Sequence, residues 1–479
     1  MKLMFVSTEC APFIKTGGLG DVIGALPIYL KDKLDDQIVV VPLFKKVKEK
    51  YFDSMKKVGK VEFTMSWRKQ KAEYYTLEAN DVKYYFVEND YYFYRDNIYG
   101  GFDEIERFAF FDFASLELLK LIGYHPDIIH VHDWQTSMIP VLYKETYRFK
   151  EGYENIRTML TIHNPAFQGF CHREALGNLF NLPYYLYDNG VARFGDSVST
   201  LKAGIMYSDY LSTVSPTNAK ELLRGDYAYG LETVLKYRKD DFFGILNGID
   251  YVENNPSKDN LIQANYTFST YDKKGKNKED IQKIFSIDVE PKKMVLGVVS
   301  RLATQKGINL ITNSIPWIVK NNMQLVVLGS GDKELEKSLQ YYRDMYPNNV
   351  GVYIGFSNEL AHKVYAGCDM FLMPSLYEPC GLSQMISQRY GTVPLVREVG
   401  GLKDSVEAYN EYTKTGTGFS FMHYSGEDMR KVLYYASNIY FNKKDEWMSI
   451  VEQCMAKNNS WSKSASEYLK VYKNLLKYK

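Results

Sequence analysis

A glycine cluster near the start of the chain could surround a phosphate. The stretch "IKTGGLGDV" places Lys15, Gly17 and Gly18 between an apolar run at 2–7 and an amphipathic segment. A glycine-rich turn between a strand and a helix is typical of phosphate binding. The P-loop pattern is absent, and the second predicted strand lacks the acidic end residue that a dinucleotide site requires. A plain tight turn, with glycines supplying backbone freedom, is the alternative.

Two later loops also carry charge directly after apolar runs. The loop "SRLATQKG" brings Arg301 and Lys306 beside a predicted helix start, where two cations suit a diphosphate. The loop "YEPCGL" holds Glu378 between a proline and a helix. Ordinary surface cations and a helix-start carboxylate are the alternatives. We predict Cys380 to be a small buried side chain rather than a nucleophile, because it has no local signature.

Histidines follow two other predicted strands, in "HVHDW" at 130–134 and "TIHN" at 161–164. His130 and His132 share a strand face, which raises the possibility of a metal site. A third ligand at characteristic spacing is missing, and no D-x-D follows a strand. We therefore expect no metal, with positive charge supplied by lysine and arginine.

The alternation of apolar runs with amphipathic segments predicts an α/β protein with two doubly wound parallel units. Ligands should bind beyond the carboxyl ends of their strands, in a deep central cleft that the two Rossmann-like lobes face. We predict a first lobe at 1–250, a second at 251–460, and a helix at 461–479 packing back on the first. The polar stretch 254–278 is interpreted as a linker or surface excursion. The predicted strands are Lys2–Ser7, Gln37–Val41, Lys83–Val87, Asp127–His132, Arg157–Ile162, Tyr210–Val214, Phe242–Leu246, Met294–Ser300, Gln324–Leu328, Val350–Ile354, Met370–Met373 and Val393–Val396.

The composition is that of an ordinary globular enzyme. Hydrophobic residues make up 45% of the 479 residues, and the formal net charge of +1 gives no support for nucleic-acid binding. The five cysteines are scattered, and the sequence has neither a secretory signal nor an apolar run of membrane-spanning length. We expect a cytoplasmic protein without a membrane partner, and its oligomeric state stays open.

Aromatic residues cluster in the segment from Lys83 to Phe113. We favour a role in the sheet and core, where aromatic side chains pack well. A stacking surface for sugar rings is the alternative.

Taken together, the motifs resemble the bacterial glycogen synthase and plant starch synthase family of glycosyltransferases. The resemblance spans both units in order. The matching elements are KTGGLGDV at 15–22, HVHDW at 130–134, TIHNPAFQG at 161–169, KAGIMYSD at 202–209, TVSPT at 213–217, NGID at 247–250, SRLATQKG at 300–307, PSLYEPCGLSQ at 374–384 and YGTVPLVREVGGLKD at 390–404.

This resemblance implies a GT-B fold and retaining transfer of glucose from a nucleotide sugar, generally ADP-glucose, to the non-reducing end of an α-1,4-glucan. It implies no cofactor beyond this donor substrate, and the choice between ADP- and UDP-glucose stays open. The implied diphosphate contacts are Lys15, Gly17, Gly18, Arg301 and Lys306. Those implied at the transferred glucose are Glu378, Cys380, Gly381, Leu382, Asp133, His163 and Asn247, with Phe356 beside the base.

The sequence departs from the family at Pro165 and Phe167, where an aliphatic residue and tyrosine are common, and in the polar linker. These departures concern the acceptor rather than the reaction. A glucan phosphorylase would share the fold but needs a pyridoxal-bearing lysine and usually a longer chain. A glucan-binding protein without activity would typically lose the charged residues that stand here.

Overall fold

The computed structural model describes residues 1–477, which divide into two compact units. Unit 1 comprises residues 1–214, 219–245 and the C-terminal stretch from Trp461. Unit 2 comprises residues 215–218 and 246–460. The chain thus passes from unit 1 to unit 2 at residue 245 rather than 250, after one short earlier excursion.

Unit 1 is built on a nine-stranded sheet with the order β12-β11-β7-β6-β1-β2-β5-β4-β3. The seven strands from β12 to β5 are parallel, and β4 runs antiparallel to both β5 and β3. A small antiparallel sheet has the order β8-β10-β9. The strands are β1 (Lys2–Val6), β2 (Asp36–Pro42), β3 (Lys56–Met65), β4 (Arg68–Ala79), β5 (Val82–Glu88), β6 (Ile128–His132), β7 (Arg157–Ile162), β8 (Phe170–Cys171), β9 (Arg193–Phe194), β10 (Ser197–Ser199), β11 (Tyr210–Thr213) and β12 (Phe242–Gly244).

Helices cover the unit 1 sheet, and the C-terminal helix α20 packs against α1. The helix α4 is buried along most of its length, and its buried side chains include four phenylalanines. The helices are α1 (Gly18–Leu30), α2 (Lys45–Tyr51), α3 (Asp90–Phe93), α4 (Glu104–Ile122), α5 (Met138–Glu145), α6 (Ala175–Phe180), α7 (Tyr185–Asp188), α8 (Thr200–Tyr207), α9 (Pro216–Arg224, whose start groups with unit 2), α10 (Glu232–Tyr237) and α20 (Trp461–Lys477).

Unit 2 contains a six-stranded, fully parallel sheet with the order β15-β14-β13-β16-β17-β18. Its strands are β13 (Met294–Val299), β14 (Met323–Gly329), β15 (Val350–Ile354), β16 (Met370–Met373), β17 (Val393–Arg397) and β18 (Phe419–Phe421). Its helices are α11 (Lys274–Ile284), α12 (Ile308–Thr312), α13 (Ile315–Lys320), α14 (Lys333–Met345), α15 (Asn358–Gly367), α16 (Ser383–Arg389), α17 (Gly400–Ser405), α18 (Gly426–Asn442) and α19 (Lys444–Ala456).

The central strands of both sheets are continuous apolar runs. Every residue of β14 is buried, and β2 is buried after its first residue. Parallel strands covered by helices on both faces have this pattern, so the predicted α/β class is confirmed. No helix within residues 1–477 combines the length and apolar character needed to cross a membrane.

The interpretation of residues 254–278 as a linker is wrong for its second half. A 3-10 helix spans Phe268–Lys273, and α11 begins at Lys274. Lys274 is buried, and its Nζ donates to the carbonyl of Ala366 and to Oγ1 of Thr392, each at 2.7 Å. Lys274 satisfies buried acceptors, so the polarity of its side chain did not indicate exposure.

Candidate functional site

The glycine loop lies at the carboxyl end of β1 and leads into α1. A Cβ added to Gly17 or Gly18 would meet no atom within 4 Å, so packing does not require glycine here. The two positions instead leave the backbone open to close approach. Lys15 Nζ pairs with Oδ1 of Asp21 at 2.6 Å, and burial raises the pKa of Asp21 despite this lysine.

Glu9, which the sequence analysis did not single out, holds this loop in place. Its buried carboxylate accepts hydrogen bonds from the backbone N–H of Thr16 at 2.5 Å and of Gly17 at 3.1 Å. It also accepts from the hydroxyl of Tyr99 at 2.7 Å. The only sequence signal was an acidic residue just after a buried strand.

Asp133 joins the loops that follow β6 and β7. Its Oδ1 accepts from the backbone N–H of His163 at 2.7 Å and of Asn164 at 3.2 Å. Asp133 has a φ of +56°, a backbone conformation that few non-glycine residues adopt and that occurs at functional sites. Burial raises the pKa of Asp133 to about 7. The structure therefore brings these two predicted residues together.

Three histidines lie side by side behind this loop. The rings of His130 and His132 are 4.2 Å apart between centroids, which confirms that they share a face. Nδ1 of His132 lies 3.1 Å from Nε2 of His163. Burial lowers the pKa of both His130 and His163 to about 3. Within residues 1–477, no group of three or more His, Cys, Asp or Glu side chains is arranged to hold a metal ion.

In unit 2, Lys306 and Glu378 form an ion pair at the carboxyl ends of neighbouring strands. Lys306 follows β13 and Glu378 follows β16, which pairs with β13. Lys306 Nζ donates to Oε2 of Glu378 at 2.5 Å, with side-chain exposures of 20% and 8%. Ser375 Oγ donates to the same carboxylate oxygen at 3.2 Å.

Gly401 contacts the backbone at and after Glu378 and holds it in place. The N–H of Gly401 donates to the carbonyl of Glu378 at 3.1 Å. A Cβ on Gly401 would lie 2.1 Å from the carbonyl oxygen of Cys380, so only glycine permits this approach. Gln384 Nε2 donates to the carbonyls of Cys380 and Gly381 at 3.2 and 3.0 Å. These contacts fix the loop that continues to Leu382.

Cys380 is buried, as predicted, and burial raises the pKa of its thiol to about 12. A thiol in this state is a poor nucleophile. The backbone N–H of Asn247 lies against this thiol. Oδ1 of Asn247 is buried without a hydrogen-bond partner among the described residues, and is thus available to a bound molecule.

Arg301 and Phe356 are the more open members of the unit 2 group. Arg301 is exposed, and its Nη2 donates to Oε1 of Gln305 at 3.2 Å. Phe356 follows β15 and is 87% exposed, so its ring is accessible to a bound molecule.

Arg397, at the end of β17, is a further residue that the sequence analysis missed. Its Nε donates to the carbonyl of Ser375 at 2.8 Å and its Nη1 to that of Met422 at 3.1 Å. Its Nη2 donates to the carbonyl of Leu376. Arg397 thus supports the segment that leads to Glu378.

The predicted residues therefore form two groups, one in each unit. Unit 1 carries Lys15, Gly17, Gly18, Asp133 and His163 on loops after β1, β6 and β7, which are neighbours in the sheet. Unit 2 carries Arg301, Lys306, Phe356, Glu378, Cys380, Gly381 and Leu382 on loops after β13, β15 and β16, with Asn247 beside them.

Comparison with known proteins shows a family match for each of the two units. Residues 2–237 match the starch synthase catalytic domain family, and residues 278–438 match the glycosyl transferases group 1 family. A sucrose-phosphate synthase from Thermosynechococcus elongatus shares the fold over the full length of both chains, with a TM-score of 0.61 and 14% identity. The fold and the charged strand-end loops define a glycosyltransferase of the GT-B class.

Relatives that match over their full length show to which family of this class the chain belongs. The glycogen synthase of Clostridium kluyveri is 45% identical over 99% of this chain and 100% of its own. That of Ligilactobacillus salivarius is also 45% identical, with the same coverage. The catalytic domain of starch synthase IV from Arabidopsis thaliana, bound to ADP and acarbose, has a TM-score of 0.89 and 30% identity, covering 99% of both chains. The chain belongs to the glycogen and starch synthase family.

Proposed function

We propose that this glycosyltransferase moves glucose from ADP-glucose to the non-reducing end of an α-1,4-glucan, with retention of configuration and release of ADP. The observation that carries the proposal is the ion pair between Lys306 and Glu378 on adjacent strand-end loops of unit 2. The ADP bound to the related starch synthase IV supports the choice of nucleotide. The glycogen synthase relatives support glycogen as acceptor.

The chemistry follows from the charge that develops on the leaving group. When the bond between glucose and diphosphate breaks, negative charge grows on the phosphate oxygens, and fixed cations aimed there lower the barrier. Lys306 and Arg301 are the cations that we assign to this task in unit 2, and Lys15 is the one in unit 1. We expect the reaction to need no metal and no cofactor.

Glu378 is better suited to holding the sugar than to attacking it. Its carboxylate already accepts from Lys306 and Ser375, so one oxygen is engaged and the side chain is immobile. We assign it to the hydroxyls of the transferred glucose, together with the backbone at Gly381 and Leu382. Retention then comes from same-face attack, in which the leaving phosphate takes the proton of the incoming hydroxyl.

Unit 1 has an open cavity that we assign to the acceptor. It has a volume of about 350 Å³ and is lined by Arg95, Asp96, Asn97, Tyr99, Gly100 and Gly101. Tyr99 connects it to the glycine loop through Glu9. Aromatic and planar polar groups of this kind suit a sugar ring.

One assay tests the whole proposal. Purified protein is given glycogen with radiolabelled ADP-glucose or UDP-glucose, with and without EDTA. We expect labelled glucan from ADP-glucose, unchanged by EDTA. Loss of turnover with EDTA, or no labelled glucan from either donor, would refute the proposal. An absorbance band of a pyridoxal Schiff base would instead favour a phosphorylase.

A further inference from the structure

The three neighbouring histidines of unit 1 differ in how their ring nitrogens are satisfied. Both nitrogens of His130 have partners, the hydroxyls of Tyr472 and Thr161, each at 2.7 Å. His132 has a partner at one nitrogen only, since Nδ1 faces Nε2 of His163. Its other nitrogen, Nε2, is buried without a hydrogen-bond partner among residues 1–477.

Two proton arrangements fit the short contact between His132 and His163. In one, His163 donates from Nε2, so that His132 must carry its own proton on Nε2 as a buried N–H with no acceptor. In the other, His132 donates from Nδ1, and its Nε2 is only an unused lone pair. Buried N–H groups without an acceptor are rarer than under-used acceptors, which favours the second arrangement.

We propose that His132 is a positioning residue, whose Nδ1–H donates to Nε2 of His163 and so fixes the proton of His163 on Nδ1. Burial keeps the His163 ring neutral, with its pKa lowered to about 3, so the ring holds a single proton near neutral pH. His163 is only half-buried. It therefore presents an N–H donor, and not a base, to whatever binds beside it.

The neighbouring contacts reinforce this arrangement. The backbone of His163 is anchored by Asp133, which fixes the position of the residue but leaves its ring free to turn. Among the contacts within residues 1–477, the one with His132 orients the ring. On the proposed function, on which this step rests, the Nδ1–H of His163 is a hydrogen-bond donor to a hydroxyl of the transferred glucose.

The proton positions can be read without measuring activity. Long-range ¹H–¹⁵N correlation spectra of the full chain labelled with ¹⁵N-histidine distinguish Nδ1–H from Nε2–H tautomers. The chain has seven histidines, and His163→Gln identifies the signals of His163 by their loss. We expect the Nδ1–H tautomer for both His132 and His163. An Nε2–H tautomer at His163, or an even mixture, would overturn the proposal.

Variants at His132 test the consequence for turnover. The side-chain amide of His132→Asn can donate from nearly the position of Nδ1, so we expect it to keep the His163 tautomer and turnover within about fivefold of the wild-type rate. His132→Leu removes the donor, so the His163 signals should show both tautomers. Its kcat should fall about tenfold or more, the scale of losing an orienting partner, with little change in KM for glucan. Equal losses in both variants would refute orientation by a hydrogen bond.

Tyr472→Phe is the matched control. It removes one hydroxyl from the same histidine cluster, next to His130, and leaves the pair of His132 and His163 untouched. We expect an unchanged His163 tautomer and wild-type turnover, and a shifted tautomer would contradict the proposal. If the wild-type protein transferred no glucose at all, the proposed function would fail while the tautomer measurement still decided the assignment.

Discussion

The Nζ of Lys306 and the carboxylate of Glu378 lie 2.5 Å apart, although 72 residues separate them in the chain. Parallel pairing of β13 with β16 creates this relationship, because it puts both strand-end loops at the same edge of the sheet. The loop of Glu378 is also held by two backbone contacts: Gly401 donates to the carbonyl of Glu378, and the guanidinium of Arg397 donates to the carbonyl of Ser375. A cation and an anion are thus fixed beside each other at a place where a sugar diphosphate would need both.

Replacing Glu378 should strongly reduce turnover. In Glu378→Ala, the fixed carboxylate is lost and Lys306 is left without its partner, so we expect kcat to fall at least ~10²-fold, the scale of one preorganised electrostatic contact. Initial rates of glucosyl transfer measure this. Asp280→Ala breaks another partly buried ion pair of unit 2, with Lys363 at 3.0 Å, and should keep the wild-type rate. A wild-type rate in Glu378→Ala would remove this residue from the site.

Glu9 should control the affinity for the donor. Glu9→Gln loses the charge that holds the backbone of Thr16 and Gly17 through Oε2, and its amide nitrogen cannot accept from the hydroxyls of Thr16 and Tyr99, which donate to Oε1. The glycine loop should loosen. Since hydrogen bonds to charged groups contribute about 1.5–3 kcal/mol, we expect KM for ADP-glucose to rise about tenfold or more.

The control for Glu9 is Glu104→Gln, which alters another carboxylate that accepts from a backbone N–H, that of Gly100 at 2.6 Å on the exposed surface. Its KM should stay within about twofold of wild type. Equal KM values for Glu9→Gln and wild-type protein would show that the glycine loop does not depend on this carboxylate.

Asp133 should impose a pH dependence on stability. Its folded pKa of about 7 lies above the ordinary value, so the folded state holds a proton that the unfolded state has released between about pH 4 and 7. The free energy of unfolding should therefore lose a contribution as pH rises through this window. The loss is at most about 4 kcal/mol for a shift of this size.

Asp133→Asn isolates this effect, because the amide oxygen can still accept from the backbone of His163. Urea denaturation of both proteins at several pH values gives the comparison. We expect the variant to gain stability relative to wild type as pH rises from 4 to 7. A difference in the free energy of unfolding that stays constant over this range would contradict the raised pKa of Asp133. His130 and His163 act in the opposite direction, since their lowered pKa values favour folding as pH rises above about 3. They are the same in both proteins and cancel.

The sequence was a good guide to the parallel strands other than β18 and to the loops that follow them, but it missed the antiparallel strands β3, β4, β8, β9 and β10. Buried parallel strands are recognisable as apolar runs, and charges directly after such runs must lie at one sheet edge, so Lys306, Glu378 and His163 could be found. Glu9 and Arg397 could not, because they act on backbone groups whose approach depends on the finished fold. The segment at Lys274 was misread for the same reason, since the carbonyl that its Nζ meets lies 92 residues further along the chain.

Tyr99 should contribute to glucan binding. Its hydroxyl contacts Glu9 and Thr8, and its ring lines the cavity next to the glycine loop. An aromatic contact contributes about 0.5–1.5 kcal/mol beyond the area that it buries, so Tyr99→Ala should raise KM for glycogen at least threefold. Tyr94→Ala tests the neighbouring ring, which is partly covered because Lys45 and Lys48 contact it. We therefore expect this variant to raise KM for glycogen less than Tyr99→Ala does. Tyr237→Ala, at an exposed tyrosine remote in sequence, serves as the control and should leave KM unchanged. Glycogen affinity that is unaltered in the Tyr99 and Tyr94 variants would place the acceptor elsewhere.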